Sequence, residues 1–160
     1  MSFRQRPVAR LLKDRITDPG LMSIPFLACM AAAAAFYHLP PRVLPAIQAV
    51  EGGRTGLVQQ ATNGTADLGL MQVNTIWIGP LARYANMTEA AARERLINDG
   101  CFNIAAAGAI MHLYLIEAGG DLLTAIGYYH SHTPQLRAAY QQKVLAAAVG
   151  LFSQSPGQRR

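Results

Sequence analysis

The longest apolar segment of the sequence, residues 101–118, constrains the fold more strongly than any other feature. It reads CFNIAAAGAIMHLYLIEA, with alanine, glycine and aliphatic residues on nearly every side of a helix. A helix that is apolar all round is either buried inside a protein or spans a membrane. Asn103, His112 and Glu117 lie within the segment and argue against a membrane span. The segment therefore predicts a buried central helix.

Local start and stop signals predict that most of the remaining chain is also helical. Capping residues, prolines and glycines predict helices over about residues 26–38, 42–51, 75–82, 89–97, 122–129 and 134–149. Gly150 is expected to end the last helix. Residues 52–66 show no periodicity, which is typical of a functional loop, and Asn63-Gly64 predicts a tight turn in a small hairpin. The fold class is therefore all-α, with at most a small hairpin, in a single domain.

The basic residues are concentrated at the two ends of the chain. The net charge is +5, yet between residues 29 and 152 the basic and acidic residues cancel. We therefore divide the chain into a basic N-terminal arm (1–25), a domain (26–152) and a polar tail (153–160). No nucleic-acid-binding motif is present, so nucleic acid is not an expected partner.

The N-terminal arm is open to two interpretations, a signal segment or a misplaced start with Met22 as the true start. Asp14 and Asp18 interrupt the apolar stretch that a secretory signal requires. The next apolar run, residues 21–37, overlaps the predicted first helix, is interrupted by Pro25 and barely reaches the length of a membrane span. No transmembrane segment is expected.

Glu51 is the carboxylate whose position is hardest to explain by structure alone. Val43, Leu44 and Ile47 recur at helical spacing, and Gly52-Gly53 end that helix. Glu51 is then its last residue, where the partial negative charge of the helix C-terminus opposes a carboxylate. A residue that breaks a local rule without compensation indicates function. The alternative is a solvated glutamate at a helix end.

Three sequence blocks follow one another in a recognisable order. Glu51 at its helix end is the first. The second is DLGLMQVN at residues 67–74, with Trp77 close behind, and the third is AIGYYHS at residues 125–131. Together they resemble the lytic transglycosylases with a goose-lysozyme-like catalytic domain, whose third block usually reads A-x-x-x-Y-N-x-G. The resemblance covers roughly residues 29–149 and implies a lysozyme-like fold.

The resemblance also implies a reaction and a set of site residues. The family cleaves the β-1,4 bond between N-acetylmuramic acid and N-acetylglucosamine in peptidoglycan, with no metal and no cofactor. Glu51 would act first as acid and then as the base that closes a 1,6-anhydro ring. Gln72 and Tyr129 match residues that line the site, and the Tyr129 hydroxyl could reach Glu51 or the N-acetyl group. Gly69 and Met71 would shape the groove.

The assigned roles have alternatives in the sequence. Gln72 could be a capping amide, and Tyr129 a buried tyrosine bonded to the backbone. The mechanism requires Glu51 to begin protonated, so we expect its pKa to be raised by burial and by the helix C-terminus. A muramidase that hydrolyses the same bond would need a second carboxylate, for which Asp67 is the main candidate. Asp99, Glu117 and Asp121 are more remote candidates.

Three positions depart from the family's pattern. Gly52 replaces the serine that commonly follows the glutamate, His130 replaces an asparagine, and His132 replaces a glycine. A nucleophile formed by Ser131 with a histidine would lack an oxyanion-loop signature and an assigned acid. A zinc site at the two histidines would lack further ligands at convincing spacing.

On the residues alone, one interpretation of the two cysteines, Cys29 and Cys101, is a pair of buried thiols. The resemblance implies a disulfide, because the branch that accompanies type IV secretion, conjugation and pilus machines often carries both. It also implies a periplasmic enzyme that opens the wall for such a machine, whose subunits would be partners. A lipid-modified Cys29 is an alternative, and so is a non-catalytic glycan-binding assembly factor.

Overall fold

A computed structural model describes residues 24–153. Its helices are α1 (Leu27–Phe36), α2 (Val43–Glu51), α3 (Ile78–Tyr84), α4 (Glu89–Asn98), α5 (Gly100–Glu117), α6 (Leu122–His130) and α7 (Pro134–Phe152). Its strands are β1 (Val58–Gln60), β2 (Ala66–Leu68) and β3 (Val73–Asn74). The prediction of a helical fold with a small hairpin is confirmed. The predicted signal and alternative start within the arm, and nearly all of the tail, lie outside the described residues.

The capping signals placed most helix starts correctly. The Thr88 side chain accepts a hydrogen bond from the Ala91 N–H at 3.1 Å, and Asp121 accepts one from the Thr124 N–H at 2.8 Å. Each bond satisfies an N–H that the first turn of a helix leaves without a partner. The helix predicted over about residues 75–82 begins instead as a short 3-10 helix, Thr75–Trp77, and continues as α3.

Gly150 does not end the last helix, contrary to the sequence prediction. α7 continues to Phe152, and Ser153 is its C-cap residue. Glycine inside a helix costs about 1 kcal/mol relative to alanine, but it does not force a stop. Leu151 and Phe152 pack against the core, and the Arg42 guanidinium lies 5.0 Å from the centre of the Phe152 ring. These contacts favour nearly one further turn of helix.

The hairpin predicted at Asn63-Gly64 pairs with a third strand, β3, that the sequence did not reveal. β1 pairs antiparallel with β2, with Val58 opposite Leu68, and β3 pairs with the other edge of β2. The turn between β1 and β2 contains Gly64 at φ +83°, and the Asn63 side chain accepts hydrogen bonds from Thr65. The predicted hairpin is therefore confirmed, but it belongs to a three-stranded sheet.

Helix α5 is the central helix, as the sequence predicts. It packs against α1, α2, α4, α6 and β3, and its Ile104, Ala107 and Met111 side chains are fully buried. Within residues 24–153 it is the one helix long and apolar enough to cross a membrane by length and composition alone. The polar residues of α5 also have partners in the fold, since His112 hydrogen bonds to the Tyr37 carbonyl oxygen.

A disulfide joins the first helix, α1, to the central helix, α5. Cys29 in α1 and Cys101 in the first turn of α5 are bonded, with their Cα atoms 5.4 Å apart and a separation of 72 positions in sequence. Closing a loop of this length stabilises the fold by about 4 kcal/mol on the chain-entropy model. The bond holds α1 against the N-terminal end of α5.

The buried amide of Asn103 fixes the loop of the second sequence block on α5. Its side chain is 1% exposed. Oδ1 accepts from the Met71 N–H at 2.7 Å, while Nδ2 donates to the carbonyl oxygens of Leu68 and Leu96 at 2.8 and 2.7 Å. Gly69 lies against the same amide at φ +69°, where a Cβ atom would collide with Asn103 and with the Leu96 carbonyl oxygen.

Replacing Asn103 should therefore destabilise the protein strongly. We expect Asn103→Ala to lower the free energy of unfolding by about 3 kcal/mol, because it leaves buried backbone groups without partners. Urea unfolding followed by circular dichroism measures the difference. The exposed Asn98, at the end of α4, provides the control, and Asn98→Ala should change stability by less than about 0.5 kcal/mol. Equal effects of the two substitutions would contradict this role of Asn103.

Candidate active site

A cleft of about 680 Å³ lies between the sheet and the C-terminal helices. Residues between 61 and 77 form one side of it. Glu51 lines it together with side chains from α5, from the end of α6 and from the start of α7. The cleft thus brings together the three sequence blocks, which are distant in the chain.

Glu51 is the last residue of α2, as the sequence predicts, and it lines the cleft. The helix ends because Gly52 adopts φ +63°, a left-handed conformation that is unfavourable for other residues. Gly53 packs so closely on the carbonyl oxygens of Gly69 and Leu70 that a Cβ atom would collide with them. The two glycines therefore set the end of α2 directly against the loop of the second block.

Tyr140 is the direct hydrogen-bond partner of Glu51, and the sequence analysis missed it. Its hydroxyl donates to Glu51 Oε1 at 2.6 Å. The side chain lies on α7 and is 4% exposed. Its spacing with Val144, the other buried residue of α7, marks a core-facing position. Nothing in that spacing identifies a partner 89 residues earlier in the chain.

The pKa of Glu51 is raised, as expected, and burial is the main cause. The negative charge of Asp67 raises the pKa further, whereas the hydrogen bond from Tyr140 and the positive charge of Lys143 lower it. Burial disfavours the charged carboxylate, and a hydrogen bond donated to the carboxylate favours it. Burial and the nearby Glu51 charge also raise the pKa of Tyr140, so this hydroxyl remains a donor.

The Tyr129 hydroxyl does not hydrogen bond to Glu51, which was one of the two partners predicted for it. Its hydroxyl donates to the Met71 carbonyl oxygen at 2.9 Å. This is the backbone-bonded tyrosine that the sequence left as an alternative. Tyr129 still lines the cleft, and its hydrogen bond attaches the third block to the second.

Of the three second-block residues predicted for the site, Gln72 lines the cleft, whereas Met71 and Gly69 lie behind it. Gln72 lines the cleft and is 7% exposed, with its Nε2 donating to the Gly69 carbonyl oxygen at 2.8 Å. This is the hydrogen bond expected of a capping amide, but it leaves the Gln72 side-chain oxygen available to accept a hydrogen bond from a ligand. Met71 and Gly69 are buried and act through their backbone atoms, so any effect on a ligand is indirect.

Asp67 is the only other carboxylate on the cleft among the described residues. It lies on β2 and accepts a hydrogen bond from Asn74 Nδ2 at 2.8 Å. The remaining acidic candidates have structural partners. Asp99 caps α5, Asp121 caps α6, and Glu117 contacts His132.

His130 and His132 are both stacked on tyrosines. The His130 ring lies parallel to that of Tyr140 at a centroid distance of 4.9 Å, and the His132 ring lies on that of Tyr128 at 4.1 Å. Within residues 24–153, no three His, Cys, Asp or Glu side chains are grouped so that they could hold a metal ion.

Comparison with known proteins identifies a family. The model of the family described as "Transglycosylase SLT domain" matches residues 28–147, which include all three blocks and both cysteines. No curated protein matches the sequence significantly.

The raised pKa of Glu51 predicts a pH-dependent effect on stability. The Glu51 carboxyl contributes stability below its unfolded-state pKa of about 4.3, and this contribution is lost as the pH rises through its folded-state pKa. Glutamine does not ionise, so Glu51→Gln should be more stable than wild type at about pH 7, and the difference should vanish below about pH 4. Urea unfolding across this range tests it. Glu94→Gln, at an exposed position on α4, should show no such pattern.

Removing the Tyr140 hydroxyl should raise the pKa of Glu51 further. Tyr140→Phe keeps the buried ring but deletes the donor that favours the carboxylate. Carboxyl ¹³C NMR measures the titration of Glu51 directly. Tyr84→Phe, on an exposed tyrosine outside the cleft, is the matched control and should not shift it. A lower Glu51 pKa in Tyr140→Phe would show that the hydroxyl does not stabilise the carboxylate.

Proposed function

The chain belongs to the transglycosylase SLT domain family, the peptidoglycan lytic transglycosylases with a lysozyme-like fold, and we propose that Glu51 is its single acid and base. One observation carries this proposal. Glu51 lies on the cleft with its pKa raised by burial, and one of its oxygens is held by Tyr140. A glutamate that remains protonated to higher pH can donate a proton to a glycosidic oxygen.

In the first half of the reaction, Glu51 protonates the oxygen that links N-acetylmuramic acid to N-acetylglucosamine. The bond between C1 and this oxygen breaks, and N-acetylglucosamine leaves with the proton on its O4. The muramic acid's own N-acetyl group stabilises the positive charge at C1. Tyr140 holds Oε1, so Oε2 is available for the substrate. Its hydrogen bond stabilises the carboxylate that this step creates.

In the second half, the Glu51 carboxylate accepts the proton of the C6 hydroxyl. O6 then bonds to C1, which closes the 1,6-anhydro ring and leaves Glu51 protonated again. The proton balance therefore closes with one glutamate and no water. The hydrogen bond from Tyr140 must be weak enough to let the carboxyl be reprotonated, and burial of Glu51 assists this.

A muramidase that hydrolyses the same bond is the second candidate, and the position of Asp67 favours it. Asp67 shares the cleft with Glu51 and could position an attacking water. In the transglycosylase that we propose, Asp67 has a different effect. Its negative charge raises the pKa of Glu51 and keeps the acid protonated.

We also propose that the protein works in the periplasm, opening the wall for a secretion, conjugation or pilus machine. The disulfide between Cys29 and Cys101 supports an oxidising compartment, because cytosolic thiols are kept reduced. Subunits of such a machine would then be its partners. The resemblance of the cysteine positions to the branch that serves these machines supports this role.

Mass spectrometry of the muropeptides released from purified peptidoglycan tests the reaction. We expect anhydromuramyl products from wild type and none from Glu51→Gln, because the glutamine cannot transfer a proton. Asp67→Asn is the matched comparison, since it neutralises the second carboxylate of the cleft and should still give anhydro products. Reducing-end products heavier by one water, lost in Asp67→Asn, would identify a hydrolase. No product from wild type would favour a glycan-binding assembly factor.

A further inference from the structure

The imidazole ring of His130 is stacked on the tyrosine that donates a hydrogen bond to Glu51. Tyr140 is 4% exposed and does not line the cleft, whereas His130 is exposed and does line it. The two rings lie with their centroids 4.9 Å apart and an interplanar angle of 7°. In this stack, His130 is the member that faces the cleft and Tyr140 is the member that faces the interior.

The stack joins two helices whose packing is fixed by other contacts. His130 is the last residue of α6, and Tyr140 lies on α7. Gly127 on α6 approaches α7 so closely that a Cβ atom would collide with the Arg137 side chain. The Gln141 amide on α7 also donates to a backbone carbonyl oxygen of α6 at 2.6 Å. The two helices therefore place the imidazole against the tyrosine.

The orientation of the Tyr140 ring decides whether its hydroxyl can reach Glu51. The hydroxyl lies at the far end of the side chain, so a small tilt of the ring displaces it. The hydrogen bond to Glu51 Oε1 is 2.6 Å long, and such a bond weakens steeply as its geometry departs from the optimum. A ring stacked parallel on a second ring is a favourable contact, and here it opposes that tilt.

We propose that His130 is a positioning residue for the reaction, which holds the Tyr140 ring so that the hydroxyl stays on Glu51 while the carboxyl loses and regains its proton. The inference rests on the proposed function for the role of Glu51. His130 itself exchanges no proton with the substrate in this role. The asparagine that the family's pattern has at this position carries no ring. The stack therefore depends on the departure from the pattern that this sequence shows.

Titration of Glu51 by carboxyl ¹³C NMR tests the positioning without using activity. His130→Ala should raise the pKa of Glu51, because a loosely held hydroxyl favours the carboxylate less. This rise is measured relative to the same substitution in Tyr140→Phe protein, which reports the effect of admitting water alone. His130→Phe keeps a flat ring and should leave the Glu51 pKa close to that of wild type. Equal changes of pKa with and without the Tyr140 hydroxyl would overturn the proposal.

The kinetics of anhydromuramyl product release provide a second readout. His130→Ala should lower kcat about 10-fold with little change in KM, because the displaced hydroxyl acts on the reacting carboxyl and not on substrate binding. His130→Phe should restore most of this loss. The losses caused by His130→Ala and Tyr140→Phe should not multiply in the double variant, since both remove the same contact. A loss confined to KM would mean that His130 acts by touching the substrate, which contradicts the proposal.

His132→Ala is the matched control. His132 is also an exposed histidine that lines the cleft and stacks on a tyrosine, but the tyrosine is Tyr128. Its effect on kcat should multiply with that of Tyr140→Phe, as expected for independent contacts. Coupling of His132 to Tyr140 as strong as that of His130 would show that the stack has no special role.

The two readouts also separate this inference from the proposed function. If wild type releases anhydromuramyl products but His130 and Tyr140 act independently, the positioning role is refuted and the role of Glu51 stands. If wild type releases no product while the Glu51 titration still depends jointly on His130 and Tyr140, the reaction is refuted and the positioning of the hydroxyl stands.

Discussion

The geometry of the site depends on the amide of Asn103, at the centre of the molecule. One side chain on α5 binds the backbone of the second sequence block on one side and the end of α4 on the other. The carbonyl oxygen of Met71, which Asn103 holds through its N–H, accepts a hydrogen bond from the Tyr129 hydroxyl. The carbonyl oxygen of the nearby Gly69 accepts a hydrogen bond from the Gln72 amide and packs against Gly53. A buried network of this kind is rigid when every member is satisfied.

The environment of Glu51 combines opposing effects in a way that suits the proposed role, in which the carboxyl loses and regains a proton. Burial and the charge of Asp67 favour the protonated acid, while Tyr140 and Lys143 favour the carboxylate. Neither set of effects alone would suit this role. A carboxyl that ionises too easily has no proton to donate, and one that ionises too reluctantly does not release its proton. Asp67 lies on β2 of the sheet, whereas Tyr140 and Lys143 both lie on α7.

The sequence predicted those parts of the fold that local rules determine. Neighbours within a few residues determine the helix caps at Thr88 and Asp121, the helix stop at Gly52 and the exceptional position of Glu51. The third strand and Tyr140 were missed, because strand pairing and the bond to Glu51 depend on contacts between distant parts of the chain. The sequence also placed Tyr129 beside Glu51 as one of two alternatives, but its hydroxyl instead binds the backbone of another block. Gly150 failed as a stop signal because packing of Phe152 outweighs the propensity of one glycine.

The hydrogen bond between Glu51 and Tyr140 also has a consequence in time. A ribosome makes Glu51 early and Tyr140 only 89 residues later, within the last helix of the described chain. Until α7 docks against α2, the carboxyl lacks both its buried surroundings and its hydrogen-bond donor. In an unfinished or incompletely folded chain, Glu51 therefore lacks the environment that raises its pKa. In the proposed mechanism, an enzyme that could damage the wall of its own cell therefore acquires its proton donor only once α7 has docked against α2.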